Sequence, residues 1–286
     1  MSEHVTNPKK LTQKAQVMGI LNITPDSFSD GGQYLSLSEA IDKAAQIVNE
    51  GADIIDLGGE SSRPGATPVS AAEEIARVIP VIEAIKQRFS IKISVDTHKT
   101  EVMQEALKRG IDIINDITAL RTPGTLELIA NSTNHKVSVC LMHMQGNPQT
   151  MQQAPHYKDV VSEVSTFLHN RVATCIQAGI AKERIIVDPG IGFGKTLAHN
   201  LALIRNLNSF TNLGCTLLVG FSRKRMLMEL LGQDKSIPPE QRLYGGLALA
   251  SWCTVQGTDI IRTHDVAATV DVLKVMGGIC KEGICF

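Results

Sequence analysis

Short β-branched runs alternating with amphipathic stretches predict a single-domain (β/α)8 barrel. Eight apolar runs recur along the chain, separated by segments of helical periodicity. The runs show no polar face, as expected of a parallel sheet covered by helices. Eight such units fit 286 residues, near the roughly 250 of a closed barrel, whereas doubly wound sheets more often stop at about five or six strands.

The first strand, residues 17–23, carries Asn22 at its end and breaks into Thr24-Pro25-Asp26-Ser27 ahead of Gly31-Gly32. That pattern hands a polar group from a buried strand to a functional loop. Ile41, Ala45 and Val48 give the next segment a helical stripe, and 53–57 is the second strand. Ile75, Val78, Ile79 and Ile82 mark the following helix. Residues 91–95, 112–115, 136–142, 184–187, 216–219 and 258–262 supply strands three to eight. No Pro/Gly/Ser-rich linker divides the chain, so the barrel is expected over 15–276, with tails at 1–14 and 277–286.

Composition narrows the function classes. A net charge of −1 provides no global field for nucleic acid or an anionic membrane, so anion binding must be local. The six cysteines contain no Cys-x-x-Cys pair, which fits reduced thiols and a cytoplasmic protein. The first sixteen residues are polar with three lysines, unlike a secretory signal. No apolar run approaches the ~20 residues that span a bilayer.

The strand ends deliver, in order, Asn22, Glu60, Asp96, Asn115, His143, Asp188, Lys224, Arg262 and His264. A barrel gathers such residues at its C-terminal mouth, where active sites form. Between them lie loops with chemical character. In Asp56-Leu-Gly-Gly-Glu-Ser-Ser-Arg-Pro, two glycines allow a tight turn while Ser61, Ser62 and Arg63 offer donors to an anion. Asp96 and Asn115 stand just off their strands, although Thr97 and Asp116 are equally suited to capping. The segment Asp188-Pro-Gly-Ile-Gly-Phe-Gly-Lys-Thr is not a nucleotide loop. A P-loop needs glycine where Pro189 stands, and a dinucleotide fingerprint needs it at Lys195. What survives is a carboxylate beside a glycine loop presenting Phe193.

In Gly220-Phe-Ser-Arg-Lys-Arg, Lys224 can reach inward, and alternation sends Arg262 and His264 to one side of the last strand. The pocket therefore divides. Asp96, Asn115 and Asp188 suit the donor-rich edge of an aminopyrimidinone ring; Asn22, Ser62, Arg63, Arg262 and His264 suit an anion. No nucleophile–base pair is evident, and His98, His135, His143, His156 and His199 lack metal-ligand spacing and are expected to be structural or exposed.

Residues 18–32, together with the loops above, closely resemble the dihydropteroate synthase family, whose seven motifs match in order over about residues 17–268. The resemblance implies an enzyme of folate biosynthesis that joins 6-hydroxymethyl-7,8-dihydropterin diphosphate to 4-aminobenzoate with loss of diphosphate. It further implies that Asp96, Asn115, Asp188 and Lys224 hold the pterin, with Arg262 along its face. Asn22, Ser62, Arg63, Arg262 and His264 bind diphosphate, Asn22 also contacting Mg2+. Phe28, Pro64, Phe193 and Lys224 surround the aminobenzoate. Catalysis is assigned to Asn22, Arg63, Lys224, Arg262 and His264 in a dissociative displacement. The family implies a homodimer and a sulfonamide target, with no nucleic-acid or membrane partner. The loops 24–34 and 61–68 are expected to be mobile until substrate binds.

Two residues depart from the family pattern: Ser62 replaces the usual Thr, and Arg225 follows Lys224 where many members have Ser. Two other readings stay open on sequence. A corrinoid-dependent methyltransferase shares the pterin barrel but does not need the Ser62-Arg63 loop or the Arg262/His264 pair. A non-catalytic pterin-binding paralogue would show decay at Asn22, Phe28, Arg63 or Lys224, all of which are intact.

Overall fold

A computed structural model describes residues 15–23, 37–61, 66–132, 136–232 and 237–280. Phe28, Ser62, Arg63, Pro64 and His135 lie outside the described residues, as do 24–34 and the centre of the 61–68 loop.

Eight parallel strands close into a barrel in sequence order. They are β1 (Gln16–Asn22), β2 (Ile54–Gly58), β3 (Lys92–Asp96), β4 (Ile113–Asp116), β5 (Ser138–Met142), β6 (Ile185–Asp188), β7 (Thr216–Gly220) and β8 (Ile260–Thr263). β8 closes onto β1 with Met18 opposite Arg262. The helices that follow the strands are α1 (Leu37–Asn49), α2 (Ala71–Arg88), α3 (Thr100–Lys108), α4 (Thr125–Ala130) and α5 (Val160–Gln177). After β6 come α6 (Leu197–Arg205) and α7 (Leu207–Thr211), after β7 come α8 (Arg225–Leu230) and α9 (Leu243–Val255), and α10 (Val266–Cys280) ends the fold.

Strand alternation divides the apolar residues into two cores. Residues such as Val17, Ile55, Ile93, Ile114, Leu217 and Ile261 face outward into the large cluster beneath the helices. Met18, Ile54, Ile113, Cys140, Ile186, Leu218 and Ile260 face inward and form a separate floor inside the barrel. Each fully buried Ile or Leu contributes roughly 1.5–3 kcal/mol, so a register slip by one residue would invert both cores.

The helix stripes sit close to their expected positions, with local differences. In α1 the buried residues are Ala40, Ile41, Ala44 and Ile47, a face turned slightly from Ala45 and Val48. In α2 the buried face includes Glu74 and Arg77 beside Val78, Ile79 and Ile82. Ser70 caps α2 by accepting from the Glu73 N–H, with Glu73 and Glu74 in the first turn and Lys86 and Arg88 in the last, complementing the helix dipole. The expected C-terminal tail starts too early. Helix α10 continues through Gly277 and Gly278 to Cys280, because two helical glycines cost only about 1 kcal/mol each.

Tyr244 and Trp252 on α9 and Val275 and Ile279 on α10 are exposed large apolar residues. Among the described residues no helix is long and apolar enough to cross a membrane.

Candidate active site

One step above the apolar floor, the same inward alternation places polar residues at the barrel mouth. Ile54 is followed two residues later by Asp56, Ile113 by Asn115, Ile186 by Asp188 and Ile260 by Arg262. Asp56 is fully buried. Its Oδ2 accepts from Arg262 Nε at 2.6 Å and from Asn115 Nδ2 at 3.2 Å. Arg262 Nη2 also donates to Asp96 Oδ2 at 2.9 Å. A guanidinium thus lies across the mouth between two carboxylates, with its side chain 20% exposed. Burial opposes the Arg262 charge, but Asp56 and Asp96 more than offset it and strengthen its hold on the proton. Burial also pushes Asp96 up to about 7, against the pull of Arg262 and with the help of the Asp56 charge.

Two glycines share this layer and add no side chain to it. Gly58 sits opposite Asn22 and Asp96 in the strand register, and Gly220 sits opposite Arg262. A Cβ at Gly58 would lie 3.4 Å from Asn22 Oδ1, and one at Gly220 3.4 Å from Arg262 Cβ. The Asn22 amide oxygen therefore lies beside Gly58 in the same layer. Among the described residues no three His, Cys, Asp or Glu side chains form a metal cage. A hard oxygen such as Asn22 Oδ1 fits Mg2+ as a single protein ligand whose other partners are phosphate oxygens and water.

Across the mouth, Asp188 Oδ1 accepts from the Gly190 N–H at 2.7 Å. Burial raises its pKa, while Lys224 and the Gly190 hydrogen bond oppose the rise. Lys224 enters from the β7 exit, where Arg223 holds a φ of 60°. A left-handed non-glycine residue stores about 1–3 kcal/mol and persists only where neighbours enforce it. Here Asp265 Oδ1 accepts from Arg223 Nη2 at 2.7 Å, and Arg242 donates to the Arg223 carbonyl at 2.8 Å. The turn directs Lys224 back over the barrel. There its ammonium donates to the Ile191 carbonyl and lies 4.5 Å from the Phe193 ring centre. Burial lowers Lys224 to about 8, with Asp188 resisting and Arg262 assisting. Phe193 also packs against a small cluster of Ile117, Met142, Met144 and Met151.

The model of the pterin binding enzyme family matches residues 18–264. The Escherichia coli K12 dihydropteroate synthase is 54% identical over 91% of this chain and 90% of its own length. That of Haemophilus influenzae is 50% identical over 91% and 92%. The chain belongs to the dihydropteroate synthases. The solved structure of a Yersinia pestis dihydropteroate synthase in a sulfonamide drug complex superposes with a TM-score of 0.87 at 46% identity, covering 93% of this chain and 94% of that one. A Xanthomonas albilineans dihydropteroate synthase with 4-aminobenzoic acid gives 0.87 at 46%, covering 94% of each.

Within this dihydropteroate synthase the nine strand-end residues do not all converge. Asp96, Asn115 and Arg262 join one hydrogen-bonded cluster, and Asp188, Lys224 and Phe193 form its neighbour. The backbone N–H and Nδ1 of His264 both lie 3.1 Å from Ser222 Oγ. Glu60, two residues beyond β2, binds Lys99 Nζ at 2.9 Å and the Val69 N–H at 3.0 Å, so it braces the loop base rather than the mouth cluster. His143 falls at an outward-facing position, one residue past the inward Met142 that pairs with Asp188. Its ring meets Phe167 edge-on at 4.9 Å. Asp116 accepts from the N–H groups of Thr118 and Leu120, which makes it the cap of the turn after β4.

Two residues of the synthase are absent from the expected site. Asp56 organises Arg262 and Asn115, and Lys195 lies buried under the glycine loop. A threefold repeat in the sequence signals the first. Gly51-Ala-Asp-Ile-Ile-Asp56, Gly110-Ile-Asp-Ile-Ile-Asn115 and Gly257-Thr-Asp-Ile-Ile-Arg262 share one pattern. In each, the glycine has positive φ, and the Asp before the strand accepts a neighbouring strand's N–H at 2.8 Å. The first Ile joins the floor, and the last residue enters the mouth. The three last residues are those joined by hydrogen bonds at Asp56.

Proposed function

We propose that this synthase condenses 6-hydroxymethyl-7,8-dihydropterin diphosphate with 4-aminobenzoate to give 7,8-dihydropteroate and diphosphate. The observation that carries this reading is the inward polar layer of Asp56, Asp96, Asn115 and Asp188 at the level where Gly58 and Gly220 carry no side chain. Carboxylates and an amide suit the amidine-like N–H edge of a pterin. Solved Xanthomonas albilineans relatives with 4-aminobenzoic acid and with 7,8-dihydropteroate support the same substrates.

Asp96, Asn115, Asp188 and Lys224 hold the pterin, with the Arg262 guanidinium fixed along its face by Asp56 and Asp96. Phe193 and the Lys224 stem form part of the aminobenzoate wall, which Phe28 and Pro64 complete. Asn22, Ser62, Arg63, His264 and the remaining nitrogen of Arg262 face the diphosphate. The exocyclic C–O bond breaks, and its electron pair leaves with diphosphate. The cation left at carbon is delocalised into the pterin, and the aromatic amine adds to it and then releases a proton. Fixed cations stabilise the charge that grows on the leaving group. Mg2+ held by Asn22 would add Lewis-acid charge at the diphosphate.

The exposed apolar face of α9 and α10 supports a homodimer, and the buried free thiols Cys140, Cys175, Cys215 and Cys253 support a cytoplasmic setting. Incubating the purified protein with both substrates and Mg2+ should yield dihydropteroate and diphosphate in equal amounts. No product at any metal concentration would overturn the substrate assignment.

A further inference from the structure

Lys195 is only 3% exposed, yet it carries a group that a protein rarely buries without reason. Its ammonium lies 2.9 Å from the Gly190 carbonyl, 2.9 Å from the Phe193 carbonyl, 3.0 Å from His143 Nδ1 and 3.3 Å from the His143 carbonyl. An ammonium has three donors and no acceptor, so His143 meets it with the Nδ1 lone pair and carries its own proton on Nε2. Burial and the neighbouring Lys195 charge hold His143 down to about 3, which keeps the ring neutral for this role.

The acceptors come from two separate mouth loops. His143 follows β5, while Gly190 and Phe193 belong to the loop after β6. Three glycines make the convergence possible. Gly190, Gly192 and Gly194 all have positive φ, where side chains other than glycine are disfavoured. A Cβ at Gly190 would lie 1.9 Å from the His143 carbonyl, one at Gly194 2.6 Å from the Gln145 carbonyl, and one at Gly192 2.9 Å from Lys224 Cδ. The loop is thus moulded onto the β5 exit on one side and the Lys224 stem on the other. Two further polar atoms of the loop are tied as well. The Gly192 N–H donates to Asn200 Oδ1, and Tyr157 donates to the Gly194 carbonyl.

Three site groups hang from this loop: Asp188 through the Gly190 N–H, Lys224 through the Ile191 carbonyl, and Phe193 itself. We infer that Lys195 is a positioning residue of the synthase, a tethered cation that gathers the carbonyls of the 190–194 loop against His143 and so sets Phe193 and Lys224 at the aromatic-amine end of the site. This rests on the substrate assignment proposed above. The dominant cost of the arrangement is desolvation, which draws Lys195 down to about 7 against the support of Asp188. A neutral donor would avoid that cost, but it lacks three N–H groups on one atom.

The test uses the full-length enzyme with Lys195→Met, which keeps the stem, and Lys195→Ala, which opens a space the size of propylammonium. With Lys195→Met, KM for 4-aminobenzoate should rise at least tenfold, and KM for the pterin diphosphate, whose proposed partners Asp188 and Lys224 also bond the loop, should rise by less than half that factor. Amide exchange in 190–194 should quicken at least tenfold in the ligand-free protein, with β6 unchanged. Lys195→Ala should regain activity with added propylammonium and gain nothing from propanol. His143→Leu, which removes one acceptor and leaves Lys195 in place, should give the same KM split in smaller measure and covers the case in which the lysine variants fail to fold. Equal changes in both KM values, or unaltered loop exchange, would overturn the positioning role in an otherwise active enzyme. A wild type that makes no dihydropteroate would instead overturn the substrate assignment beneath it.

Discussion

Replacing Asp56 by Asn isolates the charge at the centre of the mouth. In the wild type, Oδ2 accepts from both Arg262 Nε and Asn115 Nδ2, while Oδ1 has no hydrogen-bond partner. The amide oxygen of Asn can take the place of Oδ2 and keep both bonds. What disappears is their charge assistance, a difference of about 1–1.5 kcal/mol between charged and neutral hydrogen bonds. The new amide N–H2 falls at the partnerless Oδ1 position, which costs roughly 1–3 kcal/mol for a buried donor. Arg262 keeps Asp96 at 2.9 Å, so the larger penalty of an orphaned buried charge does not apply. The expected loss is about 2–4 kcal/mol, or roughly 5–10 °C in Tm for a chain of this size. The pH dependence supplies a second, independent reading. Asp96 has its folded pKa raised from 3.8 to about 7, in part by Asp56. Between those values the folded state binds more protons than the unfolded one. Its contribution is therefore present at low pH and fades as pH rises through 7. Asp56→Asn lowers the upper limit of that window, so the substitution should cost more at pH 5 than at pH 8. Urea unfolding at both pH values measures this. Unchanged stability at both, or a greater loss at pH 8, would refute the account of Asp56 as the charge that organises Arg262 and raises Asp96.

The remaining expectations concern binding and turnover. Asp188→Asn should weaken pterin binding by about 1.5–3 kcal/mol through loss of a charged hydrogen bond; calorimetry showing affinity within twofold of wild type would contradict the assignment. Arg262→Ala should lower kcat roughly 10²–10³-fold, as removal of a donor to developing charge does, whereas His264→Gln, still beside Ser222, should be milder. A folded Arg262→Ala protein with normal steady-state turnover would sink that role. Excess EDTA should abolish product formation and Mg2+ should restore it; full activity in the chelator would remove Asn22 from its proposed metal role.

Much of the fold was legible because strand and helix periods differ so plainly. All eight strands lie within about two residues of their expected bounds, and the first and eighth are neighbours as a closed barrel requires. The mouth cluster was legible where a polar residue ended an inward-facing alternation, as at Asp96, Asn115, Asp188 and Arg262. Alternation also explains the exceptions. His143 stands one residue out of phase with Met142, and Glu60 lies beyond the strand altogether, so neither side chain joins the mouth cluster. Asp56 escaped notice because it lies two residues before the end of β2, inside an apolar run, and its importance comes from partners 59 and 206 positions away. Lys195 was hidden by its motif: beside three glycines it reads as part of a loop, and only the fold brings His143 to its ammonium.

Gly58 and Gly220 also bear on how this enzyme can evolve. Neither has a positive φ, and a methyl at either would meet its nearest neighbours at 3.4 Å or more. Alanine would therefore fit both strands, and by restricting the unfolded chain it would stabilise the protein by roughly 0.4–1 kcal/mol at each site. The same two methyls would project into the layer proposed to hold the pterin. The barrel therefore forgoes some tolerance to heat by leaving two positions of its uppermost interior layer without a side chain. A search for thermostable variants that scores unfolding alone would select these alanines early and return a sturdier barrel with two more methyls at its mouth.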